Sequence, residues 1–193
     1  MVLGWFMVKE KNPDPDHWQF PILILEIWDF LLVLGIWGIV GRVILKKPSK
    51  GVRWTVWLVS PLLLAAVLVL NIAYHMALRE FVELPEEIKQ NWTLLWIALA
   101  AVQPALVEEL FFRYLALGAF SRIMGIHAAV WISSVLFSLA HIYSPLSMPY
   151  LFLAGLMLGY LRVGSGGLLL PMVAHFLHNL FVIWYEAGPQ WMN

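Results

Sequence analysis

Two adjacent carboxylates and an arginine are the first residues whose types and spacing could do chemistry. Glu108 and Glu109 stand side by side in an apolar stretch, and Arg113 follows four residues after Glu109. Residues four apart share a helix face, so we expect Arg113 to neutralise Glu109. Glu108 points about 100° away from Glu109 on an α-helix and keeps no such partner. A lone carboxylate in a low-dielectric site has its ionisation disfavoured, which suits a general base. The alternative is a buried ion network that locks helices together.

Two later segments contribute histidines at helical spacing. His141 follows four residues after Phe137, and Asn179 follows four residues after His175. A neutral histidine can polarise water or bind a metal, and a His/Asn pair on one helix face can donate hydrogen bonds to an oxyanion. His178 is either a second metal ligand or a neighbour of this pair. Each segment taken alone also fits interhelical hydrogen bonding.

Together, the three segments supply what is needed to hydrolyse an amide with activated water: a base, a water-polarising histidine and oxyanion donors. The chain has no cysteine, which excludes a thiol nucleophile. It also lacks the His-Glu-x-x-His pattern of zinc proteases and the Gly-x-Ser-x-Gly pattern of serine hydrolases. Four serines lie near the histidines without an acid–base partner to activate them, namely Ser133, Ser134, Ser138 and Ser144.

Composition indicates the kind of element that positions these residues. Of the 193 residues, 62% are hydrophobic and 12% are charged, against roughly 45–50% and 25% in soluble domains. Such hydrophobicity excludes disorder. A net charge of zero with no basic run excludes a nucleic-acid partner. The sequence therefore predicts an all-α, polytopic helix bundle embedded in a lipid bilayer.

The recurrence of long charge-free stretches, over 54–78, 90–107, 123–161 and 163–185, predicts six membrane spans when a span needs about 20 residues. These are about 20–45, 54–78, 92–118, 126–142, 149–162 and 167–186. The fifth is short for a full crossing, because prolines at 145 and 149 interrupt the run before it. Basic residues without acids follow the first, third and fifth spans, which places that side in the cytoplasm and both termini outside. We expect one integral membrane domain, 1–193, with a catalytic core over 92–186.

Three smaller features are assigned to structure instead of chemistry. Glu26 and Asp29 lie near the outer end of the first span and are expected to reach water or lipid headgroups. Gly155 and Gly159 form a small-xxx-small face that is typical of helix packing. Pro104 is expected to loosen the third helix just outside the site.

The three segments resemble the motifs of the CPBP family, which comprises CAAX proteases and bacteriocin-processing enzymes. The Glu-Glu-x-x-x-Arg motif of that family matches 108–113, its Phe-x-x-x-His motif matches 137–141, and its His-x-x-x-Asn/Asp motif matches 175–179. The resemblance covers about 92–186. It implies an intramembrane glutamic endopeptidase without a cofactor, acting on a membrane-associated peptide or protein. A prenylated CAAX peptide, a leader peptide and a C-terminal sorting tail all fit, in a prokaryotic cell (inner) membrane.

The resemblance also implies a role for each matching residue. Glu108 would activate water together with His141. His175 and Asn179 would stabilise the oxyanion. The supporting residues would be Glu109, Arg113 and Phe137.

Two alternatives remain open at this stage. Glu108, Glu109, His141 and His175 could bind zinc and form a metalloprotease, although the pairing of Glu109 with Arg113 argues against full coordination. The polar residues could instead belong to an ion pathway or to a non-catalytic membrane scaffold. Their concentration in three short motifs favours a single site over a path through the bilayer.

Overall fold

The computed structural model describes residues 15–41, 53–82, 94–142 and 144–187. Within these ranges the regular elements are helices and no β-strand occurs, which confirms the all-α prediction. We number six helices in chain order: α1 Pro15–Ile36, α2 Trp54–Phe81, α3 94–124, α4 Ile126–Ala140, α5 Met148–Ser165 and α6 Leu169–Ala187. A π-helical turn, Trp37–Gly41, extends α1, and a 3₁₀ turn, Pro145–Ser147, precedes α5.

Glycine and proline determine where the helices of the second half begin and end. Gly125 has a φ of 82° and separates α3 from α4, while Gly166 has a φ of 69° and ends α5. Glycine adopts a positive φ readily because it has no Cβ. Pro145 and Pro149 lie in the first turns of the 3₁₀ turn and of α5, where a missing N–H group breaks no hydrogen bond. The prolines separate α4 from α5, as the sequence predicts, but the fifth span is longer than the predicted 149–162, because the helix continues past Arg162 to Ser165.

The hydrogen-bonding pattern of α3 alternates between α-helical and π-helical. The helix runs through Leu94–Ile97, Ala98–Val102, Gln103–Glu108, Glu109–Ala116 and Leu117–Met124, and the second and fourth of these segments are π-helical. Pro104 lies two residues after the first π-helical segment, in line with the loosening expected from its missing N–H. The sequence does not predict the second π-helical segment, which contains Glu109 and Arg113. Such segments often mark functional sites.

The helix α5 lies at the centre of the bundle and packs against α2, α4 and α6. Its face with Gly155 and Gly159 contacts α4. A Cβ atom at Gly155 would lie 3.1 Å from the Cβ of Ser134, and one at Gly159 would lie 2.9 Å from a methyl carbon of Val130. Small residues allow two helix backbones to approach this closely. The predicted packing face is therefore confirmed.

Two described helical stretches are long and apolar enough to cross a bilayer, Trp54–Phe81 and Pro145–Ser165. Shorter apolar helices cover Ile27–Ile39, Ile126–Ala140 and Leu169–Tyr185. On α2, the side chains of Leu58 and Leu62 are 78% and 72% exposed. Large exposed apolar surfaces of this kind mark contact with a membrane or a partner. The number of six crossings and the outward orientation of both termini stay predictions.

Some sequence predictions fall outside the described residues. They concern the side chain of Glu26, the basic residues that follow the first span within 42–52, the end of the first span and the first two residues of the third. Asp29 lies within the described part of α1, and its side chain is exposed, in line with the expected contact with water or headgroups.

Candidate active site

The three sequence segments come together at one place in the bundle. The carboxylates and the arginine of the first motif lie where α3 changes from α-helical to π-helical bonding. His141 directly follows the last residue of α4, and His175 lies in α6. Direct contacts join six side chains into one cluster: Glu108, Glu109, Arg113, Phe137, His141 and His175.

Glu109 occupies the buried centre of this cluster. Its side chain is fully buried, and its Oε2 lies 3.4 Å from Nε of Arg113. Its Oε1 accepts a hydrogen bond of 2.9 Å from Nδ1 of His175. The ion pair expected from the spacing is therefore present, and the same carboxylate joins α3 to α6.

Arg113 extends the connection to α4 and α5. Its guanidinium carbon lies 4.3 Å from the centroid of the Phe137 ring, which is a cation–π distance. Its Nη2 donates to the carbonyl oxygen of Gly155 over 3.4 Å. Only 1% of the arginine side chain is exposed, so Glu109 is the anion that balances its charge in the protein interior. Phe137 thus packs against the cation as well as against the histidines.

Glu108 lies in the more open part of the cluster, with 26% of its side chain exposed. Its Oε1 is 3.9 Å from Nε2 of His141, and its Oε2 is 3.8 Å from Nε2 of His175. Both separations exceed the length of a direct hydrogen bond, roughly 2.7–3.2 Å. The carboxylate therefore faces two imidazoles without bonding directly to either.

Hydrogen bonds on the far side of each ring determine which nitrogen faces Glu108. Nδ1 of His141 lies 2.8 Å from the carbonyl oxygen of Phe137, and Nδ1 of His175 lies 2.9 Å from the Glu109 carboxylate. Both partners are acceptors, so both Nδ1 atoms carry protons. In the neutral rings, each Nε2 then presents a lone pair toward Glu108. The same hydrogen bonds hold the two rings in place.

Asn179 contacts a different partner. Its Oδ1 lies 3.0 Å from Nδ1 of His178, and Nε2 of His178 is hydrogen-bonded to the hydroxyl of Tyr150 in α5. Of the two roles that the sequence leaves open for His178, these contacts match the neighbour of the His/Asn pair. Tyr150 cannot be identified from the sequence, because its own segment carries no motif and its contact with His178 depends on the packing of α5 against α6.

Three of the four serines near the histidines donate hydrogen bonds to the backbone, and Oγ of Ser144 donates to Oγ of Ser147 over 3.0 Å. Oγ of Ser133 and Oγ of Ser134 donate to the carbonyl oxygen of Val130 over 3.0 and 2.7 Å. Oγ of Ser138 donates to the carbonyl oxygen of Met148 over 2.7 Å and ties the end of α4 to the start of α5. The hydroxyl protons of Ser133, Ser134 and Ser138 point at carbonyl groups and not at a histidine base, as expected if no serine acts as nucleophile.

The donor atoms of the cluster are not arranged as a metal site. Within 15–41, 53–82, 94–142 and 144–187, no group of three or more His, Asp or Glu side chains has the geometry to hold a metal ion. Glu109, one of the four ligands in the zinc alternative, directs its oxygens at Arg113 and His175. The zinc alternative therefore gains no support from the geometry.

Fold and site together define a helical protein with two helical stretches of membrane-spanning length, in which polar groups of three helices converge on the partly exposed carboxylate of Glu108. A family model described as type II CAAX prenyl endopeptidase Rce1-like matches residues 90–181, which include all three motifs. The match covers the segment that carries the motifs and confirms the resemblance to the CPBP family inferred from them. Searches of curated proteins and of solved structures gave no match. The family implies a membrane-embedded protease of the CAAX type with a membrane-associated peptide as substrate.

Proposed function

We propose that this protein is an intramembrane glutamic endopeptidase in which Glu108 and His141 activate water to hydrolyse a peptide bond. The observation that carries the proposal is the position of the Glu108 carboxylate between Nε2 of His141 and Nε2 of His175, at 3.9 and 3.8 Å. Glu108 is 26% exposed, whereas Glu109 is fully buried. The accessible carboxylate is the one that can reach a substrate.

The separations around Glu108 suit a bridging water, because polar contacts wider than about 3.5 Å are commonly bridged in this way. In the proposed state His175 is doubly protonated, so the carboxylate and the Nε2 lone pair of His141 are the acceptors, and a molecule with two donor protons satisfies both at once. A water that donates to Oε1 of Glu108 and to Nε2 of His141 directs an oxygen lone pair toward a substrate carbonyl. This arrangement is that of general-base catalysis.

In the proposed reaction, the water oxygen attacks the carbonyl carbon of the scissile bond while one water proton passes to Glu108. Negative charge develops on the carbonyl oxygen, where the Asn179 amide and Nε2–H of a doubly protonated His175 donate hydrogen bonds. Glu108 then gives its proton to the leaving nitrogen as the C–N bond breaks. The products are a carboxylic acid and an amine, and no cofactor enters the reaction.

Glu109, Arg113 and Phe137 support this chemistry without touching the substrate. Glu109 holds His175 through Nδ1, and Arg113 balances the charge of Glu109. Phe137 packs against both histidine rings, with ring centroids 5.0 Å from His141 and 5.8 Å from His175. Rings held in this way keep their Nε2 atoms directed at Glu108.

The proposal includes a topology and a substrate class. It places six crossings and both termini outside the cytoplasm, with one membrane domain over 1–193 and a catalytic core over 92–186. In this orientation α3 runs from outside to inside, so the substrate reaches the site from the cytoplasmic side. The substrate is a membrane-associated peptide or protein, such as a prenylated CAAX peptide, a leader peptide or a C-terminal sorting tail. The membrane is a prokaryotic cell (inner) membrane.

Cleavage of a library of membrane-inserted peptides by the purified protein tests the proposal. Glu108→Gln is expected to lower the cleavage rate by about 10²–10⁴-fold, the usual contribution of a general base. Glu80→Gln is the matched control, because Glu80 is an exposed carboxylate on α2, and it is expected to cleave at the wild-type rate.

Two outcomes contradict the proposal. One is a wild-type protein that leaves every peptide intact while it still complements the function in cells. The other is a Glu108→Gln variant that cleaves as fast as wild type.

A further inference from the structure

Asn179 is connected to the interior of the bundle by a chain of two hydrogen bonds. Nδ1 of His178 lies 3.0 Å from Oδ1 of Asn179, and Nε2 of the same ring is hydrogen-bonded to the hydroxyl of Tyr150. We propose that Tyr150 and His178 are positioning residues that fix the orientation of the Asn179 amide, an inference that rests on the proposed protease function. The three residues belong to two helices, α5 and α6.

The direction of each hydrogen bond follows from the chemistry of the partners. Oδ1 of Asn179 can only accept, so Nδ1 of His178 must carry the ring proton. In the neutral ring Nε2 is then an acceptor, and the Tyr150 hydroxyl donates to it. With Oδ1 occupied, the amide directs its NH₂ group away from His178, where it is available to an oxyanion.

The orientation matters because the two ends of an amide have opposite polarity. An amide rotated by half a turn would present Oδ1 to the developing oxyanion and repel it. The tyrosine hydroxyl disfavours the other ring tautomer, because it would then have to accept from Nε2–H and its own proton would have no acceptor among the described residues. The two hydrogen bonds thus select the amide orientation in which the NH₂ group of Asn179 can donate to the oxyanion.

Tyr150, which lies at the far end of these two hydrogen bonds, is held rigidly. Tyr150 is 1% exposed and belongs to a core cluster with Phe112 and Phe137. Its ring stacks on His178, with centroids 5.7 Å apart, and meets the His75 ring of α2 edge-on at 6.1 Å. A buried ring packed on two sides has little rotational freedom. The packing of Tyr150 in the core therefore fixes the His178 ring and, through it, the orientation of the Asn179 amide.

The tautomer of His178 can be observed without any activity measurement. Long-range ¹H–¹⁵N correlation NMR of the full chain with ¹⁵N-labelled histidine, in detergent micelles, assigns the protonated nitrogen of each ring. We expect the Nδ1–H tautomer at His178 in wild type and a mixture of tautomers in Tyr150→Phe. An Nε2–H tautomer in wild type would overturn the inference, since Asn179 would then present its NH₂ group to His178.

Kinetics test the consequence for catalysis. Tyr150→Phe keeps the stacked ring and removes the donor, and it is expected to lower kcat about tenfold, the size of one lost hydrogen bond, with KM unchanged. Tyr160→Phe is the matched control, because the Tyr160 hydroxyl bonds Nδ1 of His127 over 3.2 Å on an exposed part of the same helix. That variant is expected to cleave at the wild-type rate.

A double variant separates positioning from a general structural effect. In an Asn179→Ala background, Tyr150→Phe is expected to cause less than about a twofold further loss, because the group it orients is absent. A full tenfold further loss would overturn the inference, as would a Tyr150→Phe variant with wild-type kcat. If wild type cleaves and Glu108→Gln does not, either of these two results overturns the inference about Tyr150 and leaves the proposed function intact. If wild type cleaves nothing, the proposed function fails and the NMR result alone decides the inference.

Discussion

Replacing Glu109 by glutamine is expected to damage the fold, whereas the same change at Glu108 is expected to damage only the chemistry. Glu109 is fully buried against Arg113 and His175. Glu108 is 26% exposed and has no ion-pair contact shorter than 3.8 Å. Glutamine has nearly the shape of glutamate, so Glu109→Gln removes the charge and leaves the packing. Arg113 is then a buried cation without its anion.

The size of the effect follows from the geometry of the pair. At 3.4 Å, with an effective dielectric constant of about 20, the attraction between Glu109 and Arg113 is about 5 kcal/mol. Removing one partner of a buried ion pair costs about 3–5 kcal/mol. A chain of this size loses about 2–4 °C in Tm per kcal/mol, so Glu109→Gln is expected to lower Tm by roughly 6–20 °C. For Glu108→Gln the expected change is within about 2 °C.

Far-UV circular dichroism of the purified protein in detergent micelles measures both melting temperatures. The double variant Glu109→Gln/Arg113→Met removes both charges and is expected to melt at least about 2 °C above Glu109→Gln, because no charge is then left unpaired. The reasoning is refuted if Glu109→Gln melts within about 2 °C of wild type. Equal decreases in Tm for Glu108→Gln and Glu109→Gln would contradict the separate roles of the two carboxylates.

Three further outcomes are expected. Gly159→Ala should reduce the free energy of unfolding by about 1–3 kcal/mol, because its Cβ would lie 2.9 Å from Val130. Gly35→Ala, whose Cβ would have no neighbour within 4 Å, should leave Tm unchanged or raise it, and equal chemical-denaturation curves for the two variants would contradict the packing argument. Ser138→Ala should cost about 0.5–1.5 kcal/mol and keep most of the peptide cleavage, whereas complete loss of cleavage would identify Ser138 as a nucleophile. Incubation with EDTA should leave cleavage unchanged, and a loss restored by Zn²⁺ would establish the zinc alternative.

The local part of the site could be predicted from the sequence because it depends on helix geometry alone. The i, i+4 spacing predicts the pair of Glu109 and Arg113, and the same spacing places Phe137 beside His141; both contacts occur. The small-residue face of α5 is likewise a local pattern. Such features can be predicted once a segment is known to be helical and its buried face is known.

The rest depends on how helices pack against one another, which one sequence does not contain. The contact of His175 with Glu109 joins residues on α3 and α6, and the role of Tyr150 appears only when α5 lies beside α6. The π-helical segment escapes prediction because a run of apolar residues indicates a helix without indicating its hydrogen-bond spacing. The length of α5 escapes prediction for another reason: the charge of Arg162 is taken as the end of the fifth span, whereas the helix continues to Ser165.

The π-helical bonding of Glu109–Ala116 makes the length of that segment as important as its residue types. An i→i+5 hydrogen-bond pattern accommodates an extra residue that the i→i+4 bonding of an α-helix would not. Deleting one residue would let α-helical bonding resume with the later positions of α3 close to their present orientation. If α-helical bonding resumed without a deletion, every later position would turn by about 100° about the helix axis. Leu115 and Leu117, which are 6% and 4% exposed, would then leave the core. A substitution alters one side chain, whereas the hydrogen-bond pattern of this segment fixes the rotational phase of all that follows, so the segment sets the phase of α3.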